Sequence, residues 1–378
     1  ATAPAGGGTP WGVSVIGYVK AESGVGESAR ATLRALGRTD VPHALVDFRV
    51  GNVSRMGERV DERVPIGRRH AVSLFHINAD QLPVARANLD DAWFAVPYRI
   101  GYWAWELENF PPQWYDAFAH VDEVWVPSSF CQSAIATVSP VPVVCMPHSI
   151  EIPARLAPER ARFGLRDDSI VFLSMADLMS VAERKNPLGA VQAFVEAFAA
   201  GDAHVEMVVK VSNPRWDAAA FERLRALAAA HPGIHVLADY LDRPALNALL
   251  DSADVYVSLH RSEGFGLGIA EAMARGKVAL ATGWSGNMDF MNAHNSLPVD
   301  YRLVPLEADA GPYRCGERWA DPSIGDAVAK MRHVATDASL RARLGERARA
   351  DCRRQLAPDV VGARIAARLR AIRDAKRI

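Results

Sequence analysis

Two glutamates flank a glycine-rich stretch in HRSEGFGLGIAEAMARGKVAL, residues 260–280, where seven residues, three of them glycine, separate Glu263 from Glu271. Glycines let a backbone approach a ligand closely, and a helix beginning here would offer unpaired N–H donors that suit a phosphate. Carboxylate oxygens accept hydrogen bonds from sugar hydroxyls. The pattern therefore predicts a site for an extended ligand that carries phosphate and hydroxyl groups. The structural alternative is a tight turn with Glu271 on the surface of the following helix.

The flanking residues predict a strand, a turn and a helix in that order. ADVYVSLH (253–260) is apolar and β-branched, as buried strands are, and residues 266–275 have a helical pattern closed by a glycine. Strand-like runs alternate with helical patterns in the same way from residue 12 to about 150, and again from residue 170. This alternation is typical of α/β proteins whose parallel sheets are covered on both faces.

The chain length of 378 residues favours two domains over one. Residues 149–169 contain two prolines and several charges without an apolar period, so they are predicted to link the domains. We expect two Rossmann-like domains, residues 1–150 and 151–354, with parallel sheets that face a central cleft. Ligands of such sheets bind beyond the carboxyl ends of the strands, so the cleft is the expected site.

The last 28 residues, 351–378, carry eight Lys or Arg side chains against three Asp. Val361, Ile365, Leu369 and Ile372 recur at helical spacing, which predicts an amphipathic helix. Its part from about 355 to 378 is expected to pack back on the amino-terminal domain. The alternative is a basic face that binds anionic lipid at the inner face of the plasma membrane.

Composition excludes several classes of protein. The net charge of -1, from 43 basic and 44 acidic side chains, disfavours a dedicated nucleic-acid binder. The four cysteines form no C-x-x-C pair, so a cytoplasmic location without disulfides or structural zinc is expected. No apolar run is long enough to span a bilayer. A nicotinamide dehydrogenase is disfavoured because no G-x-G-x-x-G follows a strand with an acidic residue about 20 positions on.

The segment SEGFGLGIAEAMARG, residues 262–276, resembles the E-x7-E signature of the retaining glycosyltransferases of family 4 (group 1), which have the GT-B fold. The likeness extends in the correct order over roughly residues 12–300. It includes five further segments: GYVKAESGVGESAR (17–30), VDEVWVPSSF (121–130), VVCMPHSIEIP (143–153), ERKNPLGAVQAF (183–194) and ATGWSGNMDFM (281–291). The resemblance implies a GT-B fold and a nucleotide-sugar donor.

The resemblance also implies roles for residues of the second domain. Glu263 is expected on the donor sugar near the reacting carbon, and Glu271 on the ribose hydroxyls of the nucleotide. The amides of Gly266 and Leu267 are expected to face the sugar and the diphosphate.

Basic residues of the second domain are expected to hold the diphosphate. Lys185, preceded by Arg184, matches the basic residue of the family, and Lys210 is a second candidate at the end of a strand. Fixed cations stabilise the negative charge that develops on the leaving diphosphate. No Asp-x-Asp motif is present to hold a metal, so protein cations are expected to replace one. A solvated loop pair is the alternative for Arg184 and Lys185.

In the first domain, the loop SGVGES (23–28) is expected to bind the donor phosphate or the acceptor through backbone donors, with Gly24 and Gly26 giving close approach. Where many members have a histidine, this chain has IGYWAWELENFP (100–111). Glu106 is the candidate to orient the acceptor hydroxyl or to stabilise the reacting centre. The faces of Trp103 and Trp105 either stack on a sugar or fill the core.

His76 ends a strand on the acceptor side, where it either contacts the acceptor or is a hydrogen-bonded histidine of the fold. His148 and His260 are weaker candidates near the cleft.

The expected function is a metal-independent retaining transfer of a hexosyl group to a hydroxyl of a glycan or lipid-linked glycan. The resemblance to bacterial polysaccharide mannosyltransferases favours GDP-mannose over UDP-glucose as donor, with no further cofactor. Two alternatives stay open. One is a noncatalytic nucleotide-sugar-binding subunit, and the other is a nucleotide-sugar epimerase of GT-B fold.

Overall fold

The computed structural model describes residues 9–154, 156–202 and 204–378, which divide into two compact units. Unit 1 joins the described residues up to Ile150 to the segment Gln355–Ile378. Unit 2 consists of the described residues of Glu151–Arg354. Each unit is built around a six-stranded sheet in the described part of the chain, and all strand pairs within these two sheets are parallel.

The sheet of unit 1 has the order β2-β1-β3-β4-β5-β6. Its strands are β1 (Val13–Gly17), β2 (His43–Asp47), β3 (Val72–His76), β4 (Tyr98–Tyr102), β5 (Glu123–Val126) and β6 (Val143–Cys145). The strand order changes direction between β1 and β3, and ligands of open α/β sheets bind beyond the carboxyl ends at such a point. His76, the last residue of β3, is paired there with Gly17 at the end of β1.

The sheet of unit 2 has the order β12-β11-β10-β7-β8-β9. Its strands are β7 (Ile170–Asp177), β8 (Val205–Ser212), β9 (Ile234–Leu237), β10 (Val255–Ser258), β11 (Val278–Thr282) and β12 (Leu297–Val299). Here the order changes direction between β7 and β10. An antiparallel hairpin, β13 (Tyr301–Pro305) with β14 (Arg318–Pro322), follows this sheet.

Helices connect the strands. They are α1 (Gly24–Leu36), α2 (Leu82–Asn88), α3 (Ser129–Ala136), α4 (Ala182–Lys185), α5 (Pro187–Ala197), α6 (Ala218–Ala228), α7 (Arg243–Ser252), α8 (Leu267–Ala274), α9 (Ile324–Thr336), α10 (Ala338–Leu356) and α11 (Pro358–Lys376). The expected alternation of strands and helices is confirmed. Residues Pro112–His120 form a 3-10 helix. None of the helices in the described part combines the length and apolar character that crossing a bilayer requires.

The expected helix over 351–378 is wrong at its start. The helix α10 continues to Leu356, and Ala357 has an extended backbone. The last helix, α11, begins only at Pro358, whose fixed φ suits a first helical position. The apolar stripe of α11 is buried in the core of unit 1. At Gly362 a side chain would meet the carbonyl oxygen of Ala35 at 2.3 Å, so glycine is what lets α11 approach α1 closely.

Basic side chains of α11 contact unit 1 itself. Arg368 pairs with Glu123, whose carboxylate is fully buried, and Arg370 pairs with Asp40. The cationic groups of Arg373 and Lys376 lie over the rings of Trp11 and Tyr98 respectively. These contacts favour the packing interpretation of the basic tail over the lipid-binding one.

Candidate active site

Three of the predicted residues meet where the strand order of unit 2 reverses. Lys185 ends α4, which follows β7, and Glu263 lies after the neighbouring strand β10. Lys185 Nζ is 2.5 Å from Glu263 Oε1, and Arg184 Nη1 is 3.5 Å from Glu263 Oε2. Arg184 also donates a 2.7 Å hydrogen bond to the carbonyl of Ser262. We call Arg184, Lys185 and Glu263 the charged cluster.

The charged cluster keeps Glu263 ionised. Its side chain is only 12% exposed, and burial alone would raise the pKa of its carboxyl. The charges of Lys185 and Arg184 outweigh this effect and lower the pKa to about 2. The two cations exceed the one carboxylate, so the cluster has a net positive charge that suits an anion.

The start of α8 lies directly after this cluster. Gly266 is the N-cap residue, with φ of 92° in the left-handed region that favours glycine, and no side chain caps the helix. Leu267 is the first helical residue. The first turn of a helix presents unpaired backbone N–H groups, and the two predicted amides lie at the start of α8, three and four residues after Glu263.

Glu271 lies one turn further into α8. Its Oε1 is 3.1 Å from Nη1 of Arg243, the first residue of α7. Sequence reasoning missed Arg243, because an arginine after a capping aspartate looks like an ordinary helix start. The pair fixes the Glu271 side chain beside the amino-terminal end of α7.

Lys210 lies apart from the interactions of the charged cluster. Its Nζ donates a 2.9 Å hydrogen bond to the carbonyl of Val211. Burial lowers its pKa, while the carboxylates of Asp177 and Asp239 oppose that shift. The ammonium group of Lys210 thus interacts with the carboxylates of Asp177 and Asp239 and not with that of Glu263.

The hairpin β13–β14 supplies an aromatic contact that the sequence did not predict. The guanidinium of Arg184 lies 5.8 Å from the centre of the Tyr313 ring, in the loop of the hairpin. The hairpin is attached to the site because Ala320 N donates a 2.9 Å hydrogen bond to the carbonyl of Arg261. Arg261 also lies over the ring of Trp319.

A second polar group of residues lies at the carboxyl ends of the unit 1 strands. His76 Nδ1 is 3.0 Å from Ser28 Oγ, and the His76 ring stacks on Tyr102 at 4.4 Å. The Tyr102 hydroxyl donates a 2.6 Å bond to the carbonyl of Met146 and lies 3.1 Å from His148 Nδ1. We call Ser28, His76, Tyr102 and His148 the imidazole cluster.

The imidazole cluster is uncharged near neutral pH. Burial, reinforced by the neighbouring His148, lowers the pKa of His76 to about 3. Burial also lowers the pKa of His148 to about 4. His76 Nε2 is buried without a hydrogen-bond partner among the described residues. The cluster can therefore accept or donate a hydrogen bond but does not supply a fixed charge.

The N–H of Gly26, which was predicted as a backbone donor to a ligand, is engaged within the fold. Its N–H already donates to the side chain of Ser23, the cap of α1, at 3.3 Å. A side chain at Gly26 would meet the carbonyl of Ala21 at 2.2 Å, so glycine is needed for packing. Gly24 is the first residue of α1, where unpaired N–H groups are usual.

Of the two alternatives for Trp103 and Trp105, the structure favours packing in the core. Trp103 is fully buried and Trp105 is 3% exposed. Trp103 packs on Phe118 at 5.1 Å, and Trp105 meets Trp114 edge-on at 5.0 Å. Both rings therefore fill the core.

Glu106 is half-buried in the segment after β4. Its charge raises the pKa of Asp80, an effect secondary to burial. Glu106 thus interacts with Asp80. The contacts described above for the imidazole cluster do not include Glu106.

His260 is a structural residue of the glycine-rich turn. It is fully buried, with Nδ1 at 3.0 Å from Ser258 Oγ and Nε2 at 3.1 Å from Asn287 Oδ1. Burial lowers its pKa. Both ring nitrogens are thus engaged in holding the turn.

Comparisons with known proteins agree with this architecture. Residues 170–309, which contain the charged cluster, match the family model of the group 1 glycosyl transferases. None of the curated proteins matches the chain in sequence.

Several solved glycosyltransferases have a similar structure, and the chain has their GT-B fold. Sucrose-phosphate synthase from Thermosynechococcus elongatus has a TM-score of 0.71 and 13% identity, covering 96% of this chain and 100% of that one. A glycosyltransferase from Rickettsia africae has a TM-score of 0.68 and 13% identity, with 96% and 98% covered. HepE from Anabaena, solved with UDP and glucose, has a TM-score of 0.66 and 13% identity, with 96% and 100% covered.

Proposed function

We propose that the protein is a retaining glycosyltransferase that moves a hexosyl group from a nucleoside diphosphate sugar to a hydroxyl of a glycan or lipid-linked glycan. The observation that carries the proposal is the charged cluster beside the uncapped start of α8. The match of residues 170–309 to the group 1 glycosyl transferases supports the same reaction class.

The leaving group explains why two cations are present. Breaking the bond between the anomeric carbon and the diphosphate leaves negative charge on the diphosphate. We propose that Lys185, Arg184 and the first amides of α8 stabilise that charge. Glu263 holds Lys185 by an ion pair. The diphosphate would compete for the ammonium, and Glu263 would turn its oxygens to the sugar hydroxyls.

Because these cations belong to the protein, we propose that no metal ion is needed. Lys210, paired with other groups, is the weaker candidate for this role. Glu271, held by Arg243, is proposed to bind the ribose hydroxyls. Retention is proposed to proceed by front-face attack, in which the leaving diphosphate accepts the proton of the acceptor hydroxyl.

On the acceptor side we propose His76 of the imidazole cluster, because its Nε2 is buried and has no partner among the described residues. A neutral imidazole can bind a hydroxyl without charging. Glu106 is proposed as the residue that orients the acceptor or stabilises the reacting centre.

The donor is proposed to be GDP-mannose, on the sequence resemblance to bacterial polysaccharide mannosyltransferases. UDP-glucose is the second candidate, because the HepE structure was solved in complex with UDP-glucose.

Release of the nucleoside diphosphate tests the proposal. The protein is incubated separately with GDP-mannose and UDP-glucose, with and without a chelator, and released GDP or UDP is measured by chromatography. We expect slow release from one donor into water, unchanged by the chelator, and faster release with a suitable acceptor. NMR of the product then gives the anomeric configuration. Donor binding without release would identify a noncatalytic subunit, and a changed sugar still attached to its nucleotide would identify an epimerase.

A further inference from the structure

The turn after β11, residues 284–287, contains a strained residue. Ser285 has φ of 76° and ψ of −151°, a backbone conformation adopted almost only by glycine. Glycine at this position would avoid the strain.

The Ser285 hydroxyl binds the backbone of Glu263. Its Oγ accepts a 2.8 Å hydrogen bond from Glu263 N–H and donates one of 2.5 Å to the carbonyl of Trp284. The next residue, Gly286, donates its N–H to the carbonyl of Glu263 at 2.9 Å. Two successive residues of the turn thus bind both backbone polar groups of Glu263.

The turn is itself anchored to the sheet. Asn287 is fully buried, and its Nδ2 donates a 3.0 Å bond to the carbonyl of Thr282 at the end of β11. Its Oδ1 lies 3.1 Å from His260 Nε2, beyond the end of β10. A side chain at Gly286 would meet the carbonyl of Gly264 at 2.2 Å, so the turn and the glycine-rich loop pack directly against each other. The position of the Glu263 backbone is thus fixed by contacts with the ends of β10 and β11.

We propose that Ser285 is a positioning residue for Glu263: its hydroxyl, held in a strained conformation, fixes the Glu263 backbone so that the carboxylate meets Arg184, Lys185 and the donor sugar. Residues held in strained conformations occur often at functional sites, where surrounding structure maintains them. The expected effect on catalysis rests on the proposed function, whereas the expected effect of Ser285 on the position of Glu263 does not.

The test compares Ser285→Gly, Ser285→Ala and Ser285→Thr with the wild type. Glycine relieves the strain but leaves the Glu263 N–H without its acceptor. We expect Ser285→Gly to keep a Tm close to or above that of the wild type, while kcat for nucleoside diphosphate release falls by about tenfold or more. The donor KM should change by less than about threefold, because the diphosphate is bound by other groups. Ser285→Thr, which keeps the hydroxyl, should retain more activity than Ser285→Ala.

Arg377→Gly is the matched control. Arg377 also has a positive φ, of 57°, but lies at the end of α11 in unit 1. Relieving strain there should leave kcat unchanged. All rates are measured on folded protein well below the Tm of each variant, so that a loss of stability does not imitate a loss of positioning. A wild-type kcat in Ser285→Gly, or a fall that comes only from KM, overturns the inference.

A second readout does not depend on turnover. The Glu263 carboxyl is titrated by NMR in carbon-13-labelled protein, with Glu263→Gln used to assign its signal. We expect its pKa in Ser285→Gly to lie above the value of about 2 in the wild type, because a looser backbone weakens the contact with Lys185. An unchanged pKa overturns the inference. A wild type that releases no nucleotide from either donor would instead refute the proposed function and leave this titration to decide on Ser285.

Discussion

The carboxyl ends of the strands carry different chemistry in the two units, although both sheets are parallel and six-stranded. In unit 2, Arg184, Lys185 and Glu263 form an ion-paired cluster with a net positive charge. In unit 1, burial keeps His76 and His148 neutral. The site in unit 2 is therefore positively charged, and the site in unit 1 is uncharged. Burial and ion pairing set these charges separately in each unit, as the proposed binding of a diphosphate by one unit and of an acceptor hydroxyl by the other requires.

The largest effect is expected for Glu263→Gln, which removes a charge from the charged cluster at constant shape. We expect turnover to fall by about a hundredfold or more, since Glu263 is proposed to act at the reacting sugar. Affinity for the nucleoside diphosphate should stay the same or rise, because Lys185 loses its competing carboxylate. Steady-state release and calorimetry measure the two quantities. Glu222→Gln, an exposed change on α6, is the control, and equal losses of turnover and nucleotide affinity would remove Glu263 from the reacting centre.

A smaller effect is expected for Glu271→Gln. Loss of the charged acceptor should weaken nucleoside diphosphate binding by about tenfold, the range of one charge-assisted hydrogen bond. Arg243→Gln should weaken it less, because Arg243 acts through the orientation of Glu271. Calorimetric titration with GDP and UDP measures both. If Arg243→Gln has the larger effect, Arg243 rather than Glu271 contacts the nucleotide.

The next prediction concerns the pH dependence of stability in unit 2. The pKa of Glu263 is lowered from 4.5 to about 2 on folding, so its contribution to stability is present above about pH 4.5 and is lost as pH falls towards 2. Lys185→Met should raise this pKa, and acid unfolding should then begin at higher pH. Urea unfolding at pH 3 and pH 7 measures the change. Lys330→Met removes a pair with Asp326, whose side chain is 24% exposed against 12% for Glu263, so it should shift the onset less. Equal shifts in the two variants would refute the assignment.

The smallest effect is expected in unit 1. Since the pKa of His76 is about 3 and that of His148 about 4, neither should titrate between pH 5 and 8. His76→Gln should leave nucleotide affinity unchanged and leave the shape of the pH–rate profile unchanged in this range. It should raise the acceptor KM. An NMR titration of His76 with a midpoint near pH 6.5 would contradict this prediction, because the imidazole would then become charged within this pH range.

The sequence predicted the parallel α/β architecture because buried strands and their capped helices have strong local patterns. It also predicted that Arg184, Lys185 and Glu263 belong to one site, because these residues follow strand ends and their motifs have a recognisable order. It left two alternatives open at Trp103 and Trp105, since an aromatic side chain fits a core and a sugar site equally well, and both side chains are buried. Only the three-dimensional packing of Phe110, Phe118 and Trp114 distinguishes the two.

Other features had no local signal. Strand β2 and the hairpin β13–β14 were missed, and the hairpin strands contain prolines and charged residues that resemble loops. The left-handed conformation of Ser285 could not be foreseen, because such a conformation is normally indicated by glycine. Gly26 had a signal that pointed to phosphate binding, but its close contact with Ala21 depends on how the preceding turn folds.

The most direct test of the account is calorimetric binding of GDP and UDP to the wild type and to Lys185→Met, with Lys330→Met as control. The central claim is that the charged cluster binds the diphosphate of the donor. We predict that one nucleotide binds the wild type and Lys330→Met with equal affinity and binds Lys185→Met at least about tenfold more weakly. Equal affinity for the wild type and Lys185→Met would contradict the claim.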